Sequence, residues 1–166
     1  MKEQIIEMVQ AHCPPGLTTV ILGALPILEL RGALPYALTV GGLPLWQAYL
    51  LAVVGNMIPI PFIILLLEPA TNLLRRWDKG DRFVEWLFAR TRRKGKNIEL
   101  YEEWGLIMFV AIPLPVTGAW TGSLAGHLFG LKPHKNFLAC LGGVCIAGVI
   151  VAIATLGATE VFKRFF

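Results

Sequence analysis

Four long apolar stretches, at about residues 17–43, 45–67, 104–130 and 134–158, are separated by short joints and by one polar insert near residues 70–103. A bilayer's hydrocarbon core is about 30 Å thick and a helix rises 1.5 Å per residue, so about 20 apolar residues make a span. The four stretches are not alike. The second and fourth read as conventional membrane helices. The first carries Pro26 and Pro35, and the third carries Pro113, Pro115 and a series of glycines; proline removes a backbone donor and breaks helices. Each broken stretch is long enough for a kinked span, or for a re-entrant hairpin of two half-helices of about ten residues meeting at a proline-containing tip.

Sliding the chain against itself by 89 positions superposes Leu25-Pro26 on Leu114-Pro115, Gly41 on Gly130 and Pro44 on Pro133, and places Ala33 on Gly122 and Ala37 on Gly126. The expected organisation of residues 1–166 is therefore one all-α integral membrane domain built from two repeats, about 17–67 and 104–158, joined by the insert. Each repeat is a broken segment followed by a proline-started membrane helix. Chance matching among Gly, Ala, Leu and Pro is the alternative. With both broken segments re-entrant, each repeat crosses the membrane once and the two repeats are inverted; with four full spans they are not.

Composition sharpens this picture. Of 166 residues, 55% are hydrophobic and only 16% charged, well below the roughly 25% charge of soluble domains. Nine of the fifteen Lys and Arg residues fall within 74–96, while 33–67, 105–131 and 136–159 carry no Asp, Glu, Lys or Arg. The basic excess thus sits in one membrane-flanking loop, and no nucleic-acid partner is expected. The positive-inside rule places that loop in the cytoplasm of a multi-pass protein. Residues 70–89 alternate Trp, Phe and Leu with charges and read as an amphipathic helix at the headgroup level, followed by an exposed linker at 91–97. The N-terminus lacks the basic start and small-residue cleavage site of a signal peptide and is expected to be retained.

Few residues can carry chemistry. Cys13, Cys140 and Cys145 form no CxxC and cannot pair completely, so no disulfide framework, zinc site or cofactor is expected. The informative run is Pro26-Ile27-Leu28-Glu29-Leu30-Arg31-Gly32-Ala33-Leu34-Pro35. An ionisable residue inside an apolar segment costs about 2.5–3.5 kcal/mol on insertion scales, so Glu29 and Arg31 need a partner or water. Residues two apart on a helix point to nearly opposite sides, so these two pair directly only where the chain is unwound. Mutual neutralisation is one reading; a proton-carrying Glu29 tuned by Arg31 is the other.

The matching run of the second repeat, Pro113 to Gly122, is uncharged. Thr117, Gly118 and Thr121 offer polar atoms and free backbone, with Thr117 expected to cap the half-helix that follows. Pro26, Gly32, Pro35, Pro113 and Pro115 would shape the tips. Gly118, Gly122, Gly126 and Gly130 form a small-xxx-small stripe for close helix packing, with a homodimer contact as its competing use. Asn56, buried in the second stretch, should hydrogen-bond a tip, line a polar path or join two helices. His127 reads as a hydrogen-bonded packing residue.

The Glu29-to-Pro35 run, with Gly55-Asn56 downstream and the Pro-rich second tip, resembles the small multi-drug export protein family, itself similar to the DedA and SNARE-associated Golgi protein superfamily. The resemblance implies two inverted repeats with re-entrant hairpins and interfacial helices in a plasma (inner) membrane. It also implies proton-dependent transport of a lipid carrier or related substrate, or lipid scrambling. By position Glu29 matches the acidic residue of the first hairpin. DedA proteins show arginines around the second-hairpin proline, whereas Pro113 to Gly122 has none, which leaves Arg31 as the deeply placed cation.

The expected function is a small transporter or lipid-carrier translocase coupled to protons, not an enzyme, with membrane lipids and a small-molecule or lipid substrate as partners. Its site would comprise Glu29, Arg31, Asn56, Thr117, Gly118 and Thr121. A passive scramblase and a non-transporting membrane scaffold are the rivals.

Overall fold

The computed structural model describes residues 13–74, 76–77, 81–82, 99–113 and 117–165. Among them the regular structure is entirely helical: α1 (Pro15–Ala24), α2 (Glu29–Thr39), α3 (Leu45–Met57), α4 (Pro59–Leu74), α5 (Glu99–Ala111), α6 (Ala119–Leu128) and α7 (Pro133–Phe165). Both expected breaks are present. α1 stops before Pro26 and α5 stops before Pro113, because a proline cannot supply the amide that the preceding turn's carbonyl needs. Pro115, the terminal residues 1–12, the linker at 91–97 and 11 of the 20 residues of the expected amphipathic helix at 70–89 lie outside the described residues, while residues 70–74 belong to the end of α4.

Two boundaries differ from the sequence reading. The second apolar stretch is not one plain helix: α3 and α4 are interrupted at Ile58. Pro59 and Pro61 lack amide hydrogens, so the carbonyls of Gly55 and Met57 lose their helical donors. Pro35, expected at a tip, lies inside α2, where its missing amide instead frees the carbonyl of Arg31 one turn earlier.

Two stretches, Leu45–Leu73 and Pro133–Glu160, are long and apolar enough to cross a membrane; their most apolar windows are only 39% and 44% buried, so most of that apolar surface faces outward. A core helix of a water-soluble protein would be mostly covered. By contrast α1, α2 and α6, with 10, 11 and 10 residues, are each about half the length a span requires.

The chain divides into two compact units, residues 1–58 with 144–166, and residues 59–143. In the first unit α1 packs against α2, and both pack against α3. Leu22, Leu30, Ala33, Leu34, Ala37, Ala48 and Ala52 are fully or almost fully buried there. Small residues let the backbones meet. A Cβ on Gly23 would stand 3.1 Å from both Ala52 O and Asn56 N, and one on Gly55 would stand 2.8 Å from Val20 Cα. The later half of α7 completes this unit: Tyr49 Oη donates to Cys145 O (2.9 Å), and Gly148 lies against the Tyr49 ring.

The second unit comprises α4, α5, α6 and the start of α7. α5 and α4 pack on α6, Gly122 nestles against Val110 and Cys140, and Gly143 lies close to Val110 and Ile107. In both units a glycine turn and a proline-led helix follow the broken pair. Gly42 (φ 62°) and Gly130 (φ 81°) take the left-handed conformation that closes the preceding helix. The accompanying bonds are Leu43 N–H to Ala37 O (2.9 Å) and Leu131 N–H to Gly126 O (3.0 Å).

Candidate functional site

The first break packs a buried carboxylate into the apex of the α1–α2 pair. Leu25 turns the chain out of α1, its N–H reaching Leu22 O at 3.3 Å, and its own carbonyl accepts the N–H of Glu29 at 2.9 Å. Glu29 takes φ 49°, a left-handed conformation that only glycine adopts without steric penalty. Such strain persists only where the surroundings over-determine it. Gly32 makes room: a Cβ there would stand 2.9 Å from Leu28 Cβ.

Unwinding at Glu29 resolves the geometry that a regular helix would forbid. Arg31 Nη2 lies 3.3 Å from Glu29 Oε2, so residues two apart do pair. The carboxylate side chain is 8% exposed and the guanidine side chain 25%, so the arginine lies on the outer side of the pair. Asn56 joins the same end of the first unit. It continues the buried stripe Ala48, Ala52, Asn56 of α3, its backbone nitrogen faces Gly23 in the last turn of α1, and its side-chain oxygen is buried with no hydrogen-bond donor among the described residues. Glu29, Arg31 and Asn56 therefore all belong to one unit.

Thr117, Gly118 and Thr121 belong to the other unit. The capping expectation is corrected in detail. Gly118, not Thr117, is the residue before α6, and its N–H donates to Thr121 Oγ1 at 3.0 Å. Thr117 Oγ1 turns back to Ile112 O (2.7 Å), spanning the break rather than capping the helix. The glycine stripe also divides. Gly122 and Gly126 are buried contacts with Val110 and Asn136, whereas Gly118 precedes the helix and Gly130 forms the turn after it. Those two buried glycines are thus occupied within the unit.

A polar cluster that the sequence reading did not single out lies beside this stripe. Asn136, 1% exposed, donates through Nδ2 to Ser123 O (2.8 Å) and accepts a weak bond from Cys140 Sγ (3.6 Å). Its signal was present, an asparagine entering a long uncharged stretch, just as for Asn56. Next to it, His127 Nε2 lies 3.1 Å from Thr71 Oγ1. Thr71 spends its one hydroxyl proton on Leu67 O at 2.6 Å, so Nε2 carries the hydrogen of the His127 contact. His127 is a hydrogen-bonded packing residue, as its sequence context implied.

No group of three His, Cys, Asp or Glu side chains that could hold a metal occurs among the described residues. Residues 29–150 match the family described as "Putative small multi-drug export protein". No curated protein and no solved structure matches. The matched segment begins at Glu29 itself and includes Arg31, Asn56, Thr117, Gly118 and Thr121.

Proposed function

Since the chain belongs to the small multi-drug export protein family, matched over residues 29–150, we propose that it is a small secondary transporter that exchanges protons for a small-molecule or lipid substrate. The observation that carries this reading is Glu29, a buried carboxylate held in a strained backbone conformation and paired to Arg31, at the junction of two helices each too short to span a bilayer. A scaffold gains nothing from burying an acid in such a place, whereas a coupled carrier needs a group whose charge changes during the cycle.

In this proposal the α1–α2 and α5–α6 pairs are re-entrant hairpins of two inverted repeats in the plasma membrane, the basic loop at 74–96 is cytoplasmic, and the interfacial insert rests against anionic lipid. Glu29 is the proton carrier, with Arg31 as its partner and anion contact. Asn56, Thr117, Thr121 and the amide of Gly118 are polar contacts for substrate. Membrane lipid surrounds the protein, and a homodimer would cover more of its outward apolar surface. Discontinuous helices supporting a central site are the general architecture of such carriers.

The test is transport by protein reconstituted in proteoliposomes under an imposed pH gradient, with fluorescent phospholipid and a panel of hydrophobic drugs as probes. Glu29→Gln, inserted at normal levels, is expected to abolish gradient-driven movement. Retention of full driven transport overturns the assignment. Lipid exchange that ignores both the gradient and the substitution would identify a passive scramblase, and the absence of any flux in the wild type would favour a scaffold.

A further inference from the structure

In the first unit, α3 and the later half of α7 meet at Tyr49 and leave a trough beside it. At the meeting point Tyr49 Oη donates to Cys145 O (2.9 Å), and a Cβ on Gly148 would stand 2.7 Å from the Tyr49 ring. Residues three or four apart share a helix face, so the face of α7 that carries Cys145 and Gly148 continues with Ala152. Alanine adds too little side chain to fill the next turn. A groove of about 650 Å³ remains there, with Leu45, Trp46 and Leu50 on the α3 side and Val149, Ile153 and Leu156 on the α7 side. Those six side chains are exposed, whereas Ala152 is buried and Tyr49 half-buried, so the surface is concave, with two rims and a floor.

Both rims belong to stretches long and apolar enough to cross a membrane, Leu45–Leu73 and Pro133–Glu160. The α3 rim lies in the first two turns of one stretch and the α7 rim in the last three turns of the other, so the groove opens at one edge of the hydrocarbon and runs inward. Trp46, 63% exposed, lies at that edge, the level at which tryptophan is enriched in membrane proteins.

Chemistry and size select the occupant. Water would find no partners, because Tyr49 has spent its hydroxyl proton on Cys145 and the other lining side chains are hydrocarbon or indole. A drug-like molecule would likewise lack the placed polar groups that orient such ligands. For a second copy of the chain the groove is too small. From Val149 to Leu156 α7 rises about 10 Å, and the two helices are each about 10–12 Å across, so the trough covers on the order of 200 Å². A stable interface takes roughly 800 Å² from each partner. A hydrocarbon chain is narrow, needs no hydrogen bond and is the solvent at this depth, and the groove's volume falls in the range of about 300–1,000 Å³ usual for small-ligand sites.

We infer that this groove binds one acyl chain of a membrane phospholipid, the chain lying along Ala152 and the glycerol end at the level of Trp46. None of the residues assigned to transport lines the groove, so the lipid site stands whether or not the protein is a proton-coupled carrier.

The full chain, purified in detergent and stripped of lipid, is titrated with palmitoyl-oleoyl phosphatidylglycerol, and bound lipid is counted by native mass spectrometry. One molecule is expected to bind saturably. Dihexanoyl phosphatidylglycerol, with the same headgroup on short chains, should not be retained. Ala152→Leu fills the floor and should weaken binding by about tenfold or more. Trp46→Ala removes an exposed rim without touching the interior and should weaken it too, whereas Leu138→Ala, at a similarly exposed position of α7 outside the groove, should leave it unchanged. The inference is overturned if the wild type retains no long-chain lipid, if the dihexanoyl lipid binds as well, if Trp46→Ala and Ala152→Leu both bind like the wild type, or if Leu138→Ala weakens binding equally. A lipid-free dimer that Ala152→Leu splits into monomers would overturn it in favour of a second copy.

Discussion

The closest approach of two backbones in the first unit is at Gly55, and a single methyl measures how much depends on it. In Gly55→Ala the new Cβ would stand 2.8 Å from Val20 Cα and 3.0 Å from its carbonyl carbon, with the carbonyl oxygen closer still, against an ordinary contact of 3.4 Å or more. These are main-chain atoms of α1, which cannot rotate away, so α1 must retreat by at least about 0.6 Å along its contact with α3. Overpacking of this kind costs typically 1–3 kcal/mol, and the absence of any flexible neighbour puts this site at the upper end. Alanine returns about 1 kcal/mol through its better helix propensity, which leaves a net loss of about 2 kcal/mol.

Gly157→Ala provides the matched control, since nothing lies within 4 Å of a Cβ there and α7 continues on both sides. It should be neutral or slightly stabilising. The assay is reversible unfolding of purified protein in mixed micelles of increasing denaturing-detergent fraction, read by helical circular dichroism. Gly55→Ala unfolding at the same point as the wild type would refute the close packing of α1 on α3 and the placement of Asn56 that depends on it.

Two further outcomes follow from the same apex and unit. Glu29→Gly and Glu29→Ala both remove the carboxylate, but only alanine keeps a Cβ at φ 49°, so the glycine variant should be the more stable by about 1 kcal/mol, reversing the usual helix ranking; equal stability, or a more stable alanine variant, would show that the left-handed conformation is not held. Tyr49→Phe removes the hydroxyl that donates to Cys145 O and should cost about 0.5–1.5 kcal/mol in the same unfolding assay, with a second removal at a distant site adding independently.

Proline was the legible signal in this sequence. Pro26 and Pro113 forecast the ends of α1 and α5 because a missing amide is a local fact, independent of tertiary context. Pro44 and Pro133 forecast the starts of α3 and α7 for the same reason. Glu29, Arg31 and Asn56 stood out because a polar side chain in an apolar run is expensive whatever surrounds it, and all three occur in one unit. Pro59 was equally visible, yet the interruption at Ile58 was not anticipated: the flanking runs are so uniformly apolar that hydropathy reads through the joint.

What the sequence withheld depended on contacts between distant residues. The glycine stripe suggested four equivalent packing positions, but Gly118 and Gly130 are set by the chain's turning points and only Gly122 and Gly126 by neighbours, Val110 and Asn136, that spacing alone does not reveal. Thr117 looked like a cap by composition; the shift of the helix start to Ala119 gave that place to Gly118 and left the hydroxyl to bridge the break. The left-handed Glu29 had no sequence signature, because a glutamate is not a residue that favours it.

The division of α7 between the two units sets an order of assembly. Residues 59–143 form an unbroken run of chain, so every helix of the second unit is available as soon as that run has left the ribosome. The first unit is made of the earliest and the latest segments, and the bond from Tyr49 to Cys145 joins residues 96 apart. During synthesis Tyr49 therefore precedes its partner Cys145 by 96 residues. The first unit is thus the last whose chain is complete, and a chain truncated near Gly143 would lack the carbonyl that Tyr49 bonds and the stretch of α7 that carries Gly148 against its ring.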